Sequence, residues 1–358
     1  MHADDATSPR SRERLEWARA ALGSPGAGLV RASMDAGFRS YWRSTGAGSS
    51  TIVMDSPTDQ EDVRPWLRIR DLLEAGGVRV PRVLARDVEH GFLLLEDLGE
   101  HTLLQVIDDA NADRMFDAAL DQLLQLQLLA IPAGFPAYDR AMLVRELNLF
   151  DEWFLSRHLG IALDHDERKA IDGAWLHLVE AALAQPQVLV HRDFMPRNLM
   201  PLNGRPLNGR PLNGRSVDGR PVDGSPTDGG LAVLDFQDAV RGPIAYDPLS
   251  LFKDAFLSWP QARVDAWLGR YHDRASAAGL PVPELSRFRR DVDWIGVQRH
   301  LKVIGIFARL HHRDGKPKYL ADVQRFFDYL DGVLPRYPEF ADLRQLIETR
   351  VKPRMGNR

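Results

Sequence analysis

The 358-residue chain contains no cysteine. That excludes a disulfide framework, Cys-ligated zinc, an iron–sulfur cluster and a thiol nucleophile. Lysine is almost as scarce: there are six against 40 arginines, and the first is Lys169, so the opening 168 residues hold none. Excess charge of one sign is missing too, with 46 basic residues, 50 acidic ones and a formal net charge of −4. A polyanion binder normally concentrates positive charge, so neither nucleic acid nor an anionic membrane is an expected partner. No apolar run approaches the roughly 18–20 residues of a spanning helix. The N-terminal stretch, with Asp4 and Asp5 and no apolar segment, does not read as a secretory signal. A cytoplasmic globular protein is expected, monomeric by default, and 44% hydrophobic content agrees with that class.

What is present falls into two regimes. Residues 11–22 carry Leu15, Trp17 or Ala18, and Leu22 near helical spacing, which predicts a first helix. Ser40–Arg43 and Ser50–Met54 read as paired strands about a Gly-rich turn, and Asp62–Glu74 as an amphipathic helix stopped by Gly76-Gly77. Strands around Arg82–Asp87 and Gly91–Leu95 follow, so residues 25–98 predict a small α+β domain. From 99 to 358 the pattern is mostly helical, with helices expected over 110–129, 146–159, 166–183 and 298–310. Short strands at Gln187–Val190 and 231–236 interrupt it.

Between Met200 and Leu231 lie six pentapeptides, PLNGR, PLNGR, PLNGR, SVDGR, PVDGS and PTDGG. Asn-Gly and Asp-Gly favour tight turns, proline resists regular pairing, and no apolar stripe exists to bury. Residues 201–230 therefore read as an exposed low-complexity insertion, and without it Met200 joins Leu231 in a short hairpin.

Removing the insertion makes the chemistry legible. His191-Arg192-Asp193 is followed by Asn198 in the spacing H-x-D-x-x-x-x-N, directly after an apolar strand, and Asp235 ends the next apolar run. Singly, these residues read as a loop cap, a turn and a strand cap. In order and at this spacing they suit phosphoryl transfer: one carboxylate takes the proton of an attacking hydroxyl, while an amide oxygen and a second carboxylate are hard ligands for Mg²⁺.

HRDFMPRNLM followed by VLDFQDAVRGPIAYDPLSLFKD resembles the aminoglycoside phosphotransferase family, a branch of the protein-kinase-like fold. The segments FRSYWR (38–43), VMDSPTDQEDVRPW (53–66) and GFLLLEDLG (91–99) are most similar to its bacterial branch of anomeric sugar kinases, which act on N-acetylmuramate and N-acetylglucosamine. The resemblance implies a two-lobed α+β fold, with a β-rich nucleotide lobe over 25–98, a helical lobe over 99–358 and ATP between them. It implies Asp193 as catalytic base, Asn198 and Asp235 as Mg²⁺ ligands, and a hinge formed by Leu94, Glu96 and Asp97 around the adenine. A Gly-rich loop is implied near Gly37–Arg43. The family's phosphate-binding lysine on the third strand has no counterpart, since Ile52-Val53-Met54 stands there and Glu61 is only a nominal match for its partner. Arg39 and Arg43 are candidates to replace it, or else solvated strand arginines. Arg197 stands between base and metal ligand, placed to hold phosphate or sugar or to pack as a salt bridge. Gln237 and Asp238 are implied acceptor contacts for the amino sugar, suited by directional hydrogen bonds to hydroxyls.

Other candidates read more plainly. His191 is expected to support the loop, and Asp247 and Asp254 to order it and the following helix. Arg299, Lys302 and Arg309 cannot share one helix face and read first as solvated charge, with one of them a candidate for a lactyl carboxylate. Phe252, Phe256, Trp259 and Trp267 read as helix core. His158, His165, His311 and His312 form no zinc set by spacing, because adjacent helical histidines diverge. Two alternatives remain at this level. One is a phosphotransferase for an aminoglycoside or other small alcohol, which an acidic acceptor cleft would favour. The other is a nucleotide-binding pseudokinase, suggested by the missing lysine and opposed by the intact Asp193, Asn198 and Asp235.

Overall fold

The computed structural model describes residues 8–33, 38–46, 48–202 and 230–355. They divide into two compact units, one comprising residues up to 125 and 197–237, the other 126–196 and 238 onward.

In the first unit, helix α1 (Pro9–Leu22) starts where the Ser8 side chain accepts from Ser11 N and ends at Gly23, whose φ of 61° closes the last turn. Five antiparallel strands follow: β1 (Gly28–Ser33), β2 (Ser40–Thr45), β3 (Thr51–Asp55), β4 (Val83–Asp87) and β5 (Phe92–Glu96), ordered β1-β2-β3-β5-β4. Trp42 pairs with Val53, and Val53 with Leu94, so one register line runs across the sheet. Val53 and Leu94 pack with Ala18, which seats α1 on the sheet. Helix α2 (Arg64–Ala75) begins two residues later than its apolar pattern predicts, with Val63 at its N-cap, and the Asp62 carboxylate accepts from Arg64 N at 3.0 Å in the turn that leads in. Gly91, with φ of 74°, turns β4 into β5 so tightly that a Cβ there would lie 1.9 Å from Ser56 O.

The expected hairpin is present. Strand β6 (Gln187–Val190) belongs to the second unit, whereas β7 (Leu199–Pro201) and β8 (Leu231–Val233) pair in the first, Met200 opposite Ala232 and Pro201 opposite Leu231. Leu202 N donates to Gly230 O at 3.0 Å. Met200, Leu202 and Ala232 bury against Leu98, and Val233 N donates to Arg79 O at 2.7 Å, which ties this hairpin to the sheet-bearing unit. The pentapeptide reading falls mostly on residues 203–229, outside those described. Helices α3 (Leu103–Val106) and α4 (Ala112–Gln127) complete the unit, the last two residues of α4 counting with the second.

The second unit continues with α5 (Arg140–Leu149), which runs without a break into a π-helical segment, Phe150–His158. Helix α6 (His165–Leu183) opens on a capping box between Asp164 and Glu167. Strand β6 pairs antiparallel with β9 (Val240–Pro243). Then come α7 (Tyr246–Phe252), α8 (Gln261–Ala277), the 30-residue α9 (Leu285–Asp314), α10 (Val323–Val333), α11 (Ala341–Leu346) and α12 (Lys352–Met355). Helix α9 is buried on every side from Asp291 to Gly305. Apolar side chains such as Val297, Leu301 and Ile304 each contribute roughly 1.5–3 kcal/mol there. Gly305 lets α9 approach closely, since a Cβ would come 2.3 Å from the Leu149 carbonyl carbon. Phe252 and Trp267 are core as expected, stacked at 5.6 Å. No helix among the described residues is long and apolar enough to cross a membrane.

Candidate active site

In the second unit the chemistry grows from the end of β6. Val190 is locked to Val240 in the ladder, and the chain then turns through His191, Arg192 and Asp193. Arg192 has φ of 76°. Among the described residues only Arg192 and Asp235 combine a side chain with left-handed backbone, and they fall in the two halves of the motif. Such conformations cost about 1–3 kcal/mol and persist where the surroundings enforce them.

The enforcement is visible. Asp247, fully buried on α7, accepts from His191 N at 2.7 Å and from Arg192 N at 3.1 Å. His191 is buried, and its Nδ1 accepts from Asp193 N at 3.3 Å, so the ring shapes the loop from inside. Arg192 extends inward to Glu146 of α5, its guanidinium NH2 2.5 Å from Oε1. Glu146 also accepts from Lys302 Nζ at 3.0 Å, from Gln298 Nε2 at 3.3 Å and from the Tyr138 hydroxyl. Lys302 in turn donates to Tyr246 OH at 3.1 Å. Burial alone would raise the Glu146 pKa, but Lys302 and Arg192 outweigh it and hold the carboxyl below its ordinary range.

Asp193 presents a carboxylate that is 48% exposed, with Arg299 NH2 3.7 Å from Oδ1. Desolvation pushes its pKa up, and Lys302, Arg299, His191 and Arg192 together pull it below the usual value. The group is therefore ionised at neutral pH and able to accept a proton. Arg299 and Lys302, expected as solvated charge, are buried instead; α9 is enclosed on all sides, and each cation survives there because it faces carboxylates. Arg309 lies further along α9, half-buried.

Burial raises the Asp247 pKa to about 6 despite His191 nearby and its two backbone donors. The ionised form thus costs the fold on the order of 3 kcal/mol above pH 6, and that stability returns as pH falls from 6 toward 4. Yet only the ionised form offers both oxygens to the loop. Turnover is expected to decline below about pH 6, and Asp247→Asn, with one acceptor oxygen, should lower kcat at neutral pH and flatten that acid limb. A kcat–pH profile checks this; a limb near pH 6 surviving in the variant would refute it.

The first unit carries the other motif residues, Asn198 and Asp235. Leu234 N donates to Asn198 O at 2.8 Å, continuing the β7–β8 ladder and fixing Asn198 and Asp235 at one end of the hairpin. Asp235 has φ of 61°, and Phe236 behind it is buried against Trp66 of α2, ring centroids 5.1 Å apart. Gln237 Nε2 donates to Asp235 Oδ1 at 2.8 Å, so this expected acceptor contact orients the carboxylate in the structure. Arg197 and Asp238 are exposed. Asn198 and Asp235 are oxygen donors of the type that magnesium takes, and they fit that ion by chemistry.

The side chains of the expected hinge are committed to the protein. Leu94 is core. Glu96 accepts from Arg79 NH2 at 2.6 Å and from Arg82 Nε at 3.2 Å. Asp97 takes a two-pronged bond from Arg43 at 2.7 and 3.1 Å and a third from Ser50 Oγ at 2.5 Å. Arg43 thereby braces β2 against Asp97, at the end of β5. Arg39 is placed differently: its NH2 lies 3.0 Å from Glu61 Oε1, just ahead of α2. Gly37 of the expected Gly-rich loop lies outside the described residues.

Residues 28–209 match the phosphotransferase enzyme family. The chain belongs to that family. The phosphotransferase is 50% identical over 324 residues to an N-acetylmuramate/N-acetylglucosamine kinase of Pseudomonas putida, across 90% of this chain and 88% of that one. It is 41% identical over 325 residues to the protein of the same name from Neisseria meningitidis serogroup B, across 89% of each. Among solved structures it resembles the ADP-bound aminoglycoside phosphotransferase APH(2'')-Ib, with a TM-score of 0.56, covering 88% of this chain and 97% of that one. At 13% identity that likeness speaks for the fold, which is kinase-like, with a five-stranded antiparallel sheet and a helix-rich C-terminal part. Glu146, Tyr138 and Gln298 escaped sequence reasoning, since no motif marks them and their partners are remote in the chain.

Proposed function

We propose that this phosphotransferase moves the γ-phosphoryl group of ATP to the anomeric hydroxyl of N-acetylmuramate and N-acetylglucosamine. The identity of 50% along nine-tenths of the chain to a kinase of that name carries the reading. The strained, doubly braced loop around Asp193 supports an active catalyst rather than a pseudokinase.

In this reading Asp193 orients the sugar hydroxyl and receives its proton. The transition state of phosphoryl transfer is loose, so positioning matters more than strong basicity, and a carboxylate held ionised by nearby cations suffices. Asn198 and Asp235 would hold Mg²⁺, which when bound neutralises phosphate charge. Gln237 keeps the Asp235 carboxylate turned for that task, and the exposed Asp238 and Arg197 are candidates to meet acceptor or phosphate. Arg39, steadied by Glu61, takes the phosphate-contacting role that lysine usually fills. Arginine suits it because its planar fork remains charged and binds phosphate oxygens in pairs. Leu94 to Asp97 meets the adenine through backbone groups, their side chains being occupied. The test is incubation with MgATP and a panel of amino sugars and aminoglycosides, with the phosphate located by NMR. Phosphate on C1 of the two N-acetylated sugars is expected; phosphate on C6, or turnover of aminoglycosides alone, would overturn the assignment.

A further inference from the structure

By spacing, the histidines of this chain make no zinc site. The fold changes that. Gly305 allows α9 to lie directly on the junction of α5 and the π-helical segment. Roughly two helical turns further along both elements come His311 and His312 on one side and His158 on the other. The neighbouring pair do diverge along α9, but the third ring enters from the facing segment, and each of the pair can turn toward it.

The three rings lie together, with centroids of His158 5.9 Å from His311 and 5.4 Å from His312, and those of His311 and His312 4.6 Å apart. One ring nitrogen from each falls within 4.8 Å of the others. The His158 Nδ1 to His312 Nε2 separation is 3.2 Å. Two imidazoles bound at about 2.0–2.1 Å to one tetrahedral ion stand about 3.3–3.4 Å apart, so this spacing is already near that of a ligand pair. His311 adds a buried Nδ1 that no hydrogen-bond partner reaches. Of the cations adjoining the histidines in sequence, Arg157 lies over the Trp153 ring at 4.0 Å and Arg313 is paired with Asp314 at 2.7 Å. Among the described residues this is the one such group of three metal-ligating side chains.

We propose that His158, His311 and His312 bind one divalent ion of the zinc class, with solvent completing the tetrahedron. Three neutral imidazoles favour borderline ions such as Zn²⁺ over the hard Mg²⁺ that accompanies ATP. The ion would clip the π-helical segment to the end of α9, the helix that carries Gln298, Arg299 and Lys302. It is independent of the sugar assignment.

The experiment uses the full-length, tag-free chain without nucleotide. Saturating zinc chloride should raise its melting temperature by roughly 5 °C. Cobalt chloride should give the intense visible absorption of four-coordinate Co²⁺ at one equivalent per chain. His312 is exposed, so His312→Gln should fold normally and lose most of the zinc-induced rise, and His158→Gln should lose the cobalt band. No rise in the parent chain, a six-coordinate cobalt spectrum, or a rise undiminished in His312→Gln would each overturn the proposal.

Discussion

Asp193→Asn should lower kcat by about 10²- to 10⁴-fold while leaving nucleotide affinity largely unchanged, the loss expected when a positioned general base is removed. The substitution is close to isosteric, and Asp193 N is held by His191 Nδ1 through the backbone, so the loop should keep its course. Its side chain is half-exposed, whereas Arg299, 3.7 Å away, is buried, so an unfolding curve measured beside turnover accounts for the lost counter-charge. The variant thus separates chemistry from folding. Steady-state turnover with MgATP and N-acetylglucosamine, beside nucleotide binding by calorimetry, reads the two quantities independently. A variant retaining a tenth of the parent turnover would remove Asp193 from the role of base. Because neighbouring cations keep Asp193 ionised well into the acid range, the decline expected near pH 6 belongs to Asp247.

The same distinction explains what could be read from the chain alone. Asp193, Asn198 and Asp235 stand out as candidates because their motif is written at short range once the pentapeptides are set aside. The hairpin follows for the same reason: Met200 and Ala232 become near neighbours in sequence, and the ladder pairs them. Helix α2 declares itself by amphipathic spacing, although its start falls two residues later than that spacing suggests. Networks assembled from distant segments leave no such trace. Glu146 gathers Arg192 from 46 residues away and Gln298 from 152. Lys302 looks like an ordinary surface cation until α9 is seen to be enclosed. The π-helical segment is equally silent, since apolar spacing over Phe150–His158 hardly separates 3.6 residues per turn from a wider helix. Arg43 and Arg39 show the limit from another side: they look equivalent in sequence, yet one is locked to Asp97 and the other rests on Glu61.

Glu146→Gln should destabilise the second unit by about 3–5 kcal/mol, the usual consequence of removing one partner from a buried ion pair. Four donors converge on this carboxylate: Arg192, Lys302, Gln298 and the Tyr138 hydroxyl. An amide has a single acceptor oxygen, so its NH₂ must face a donor, and two buried cations lose their counter-charge. Denaturant unfolding followed by tryptophan emission measures the loss, since five of the eight tryptophans lie in this unit. Glu146 has a folded pKa below its ordinary value, so its contribution is complete above the normal glutamate range and disappears as pH falls through the lower folded value. Lys302→Met added to Glu146→Gln should recover part of the deficit by removing the stranded ammonium, a coupling of about 0.5–3 kcal/mol in a double-mutant cycle. Turnover of the folded fraction should fall too, because Arg192 is then released from the contact that holds its left-handed backbone. A stability loss below about 1 kcal/mol would make the cluster equivalent to a solvated surface bridge and would sink its role as the anchor of the Asp193 loop.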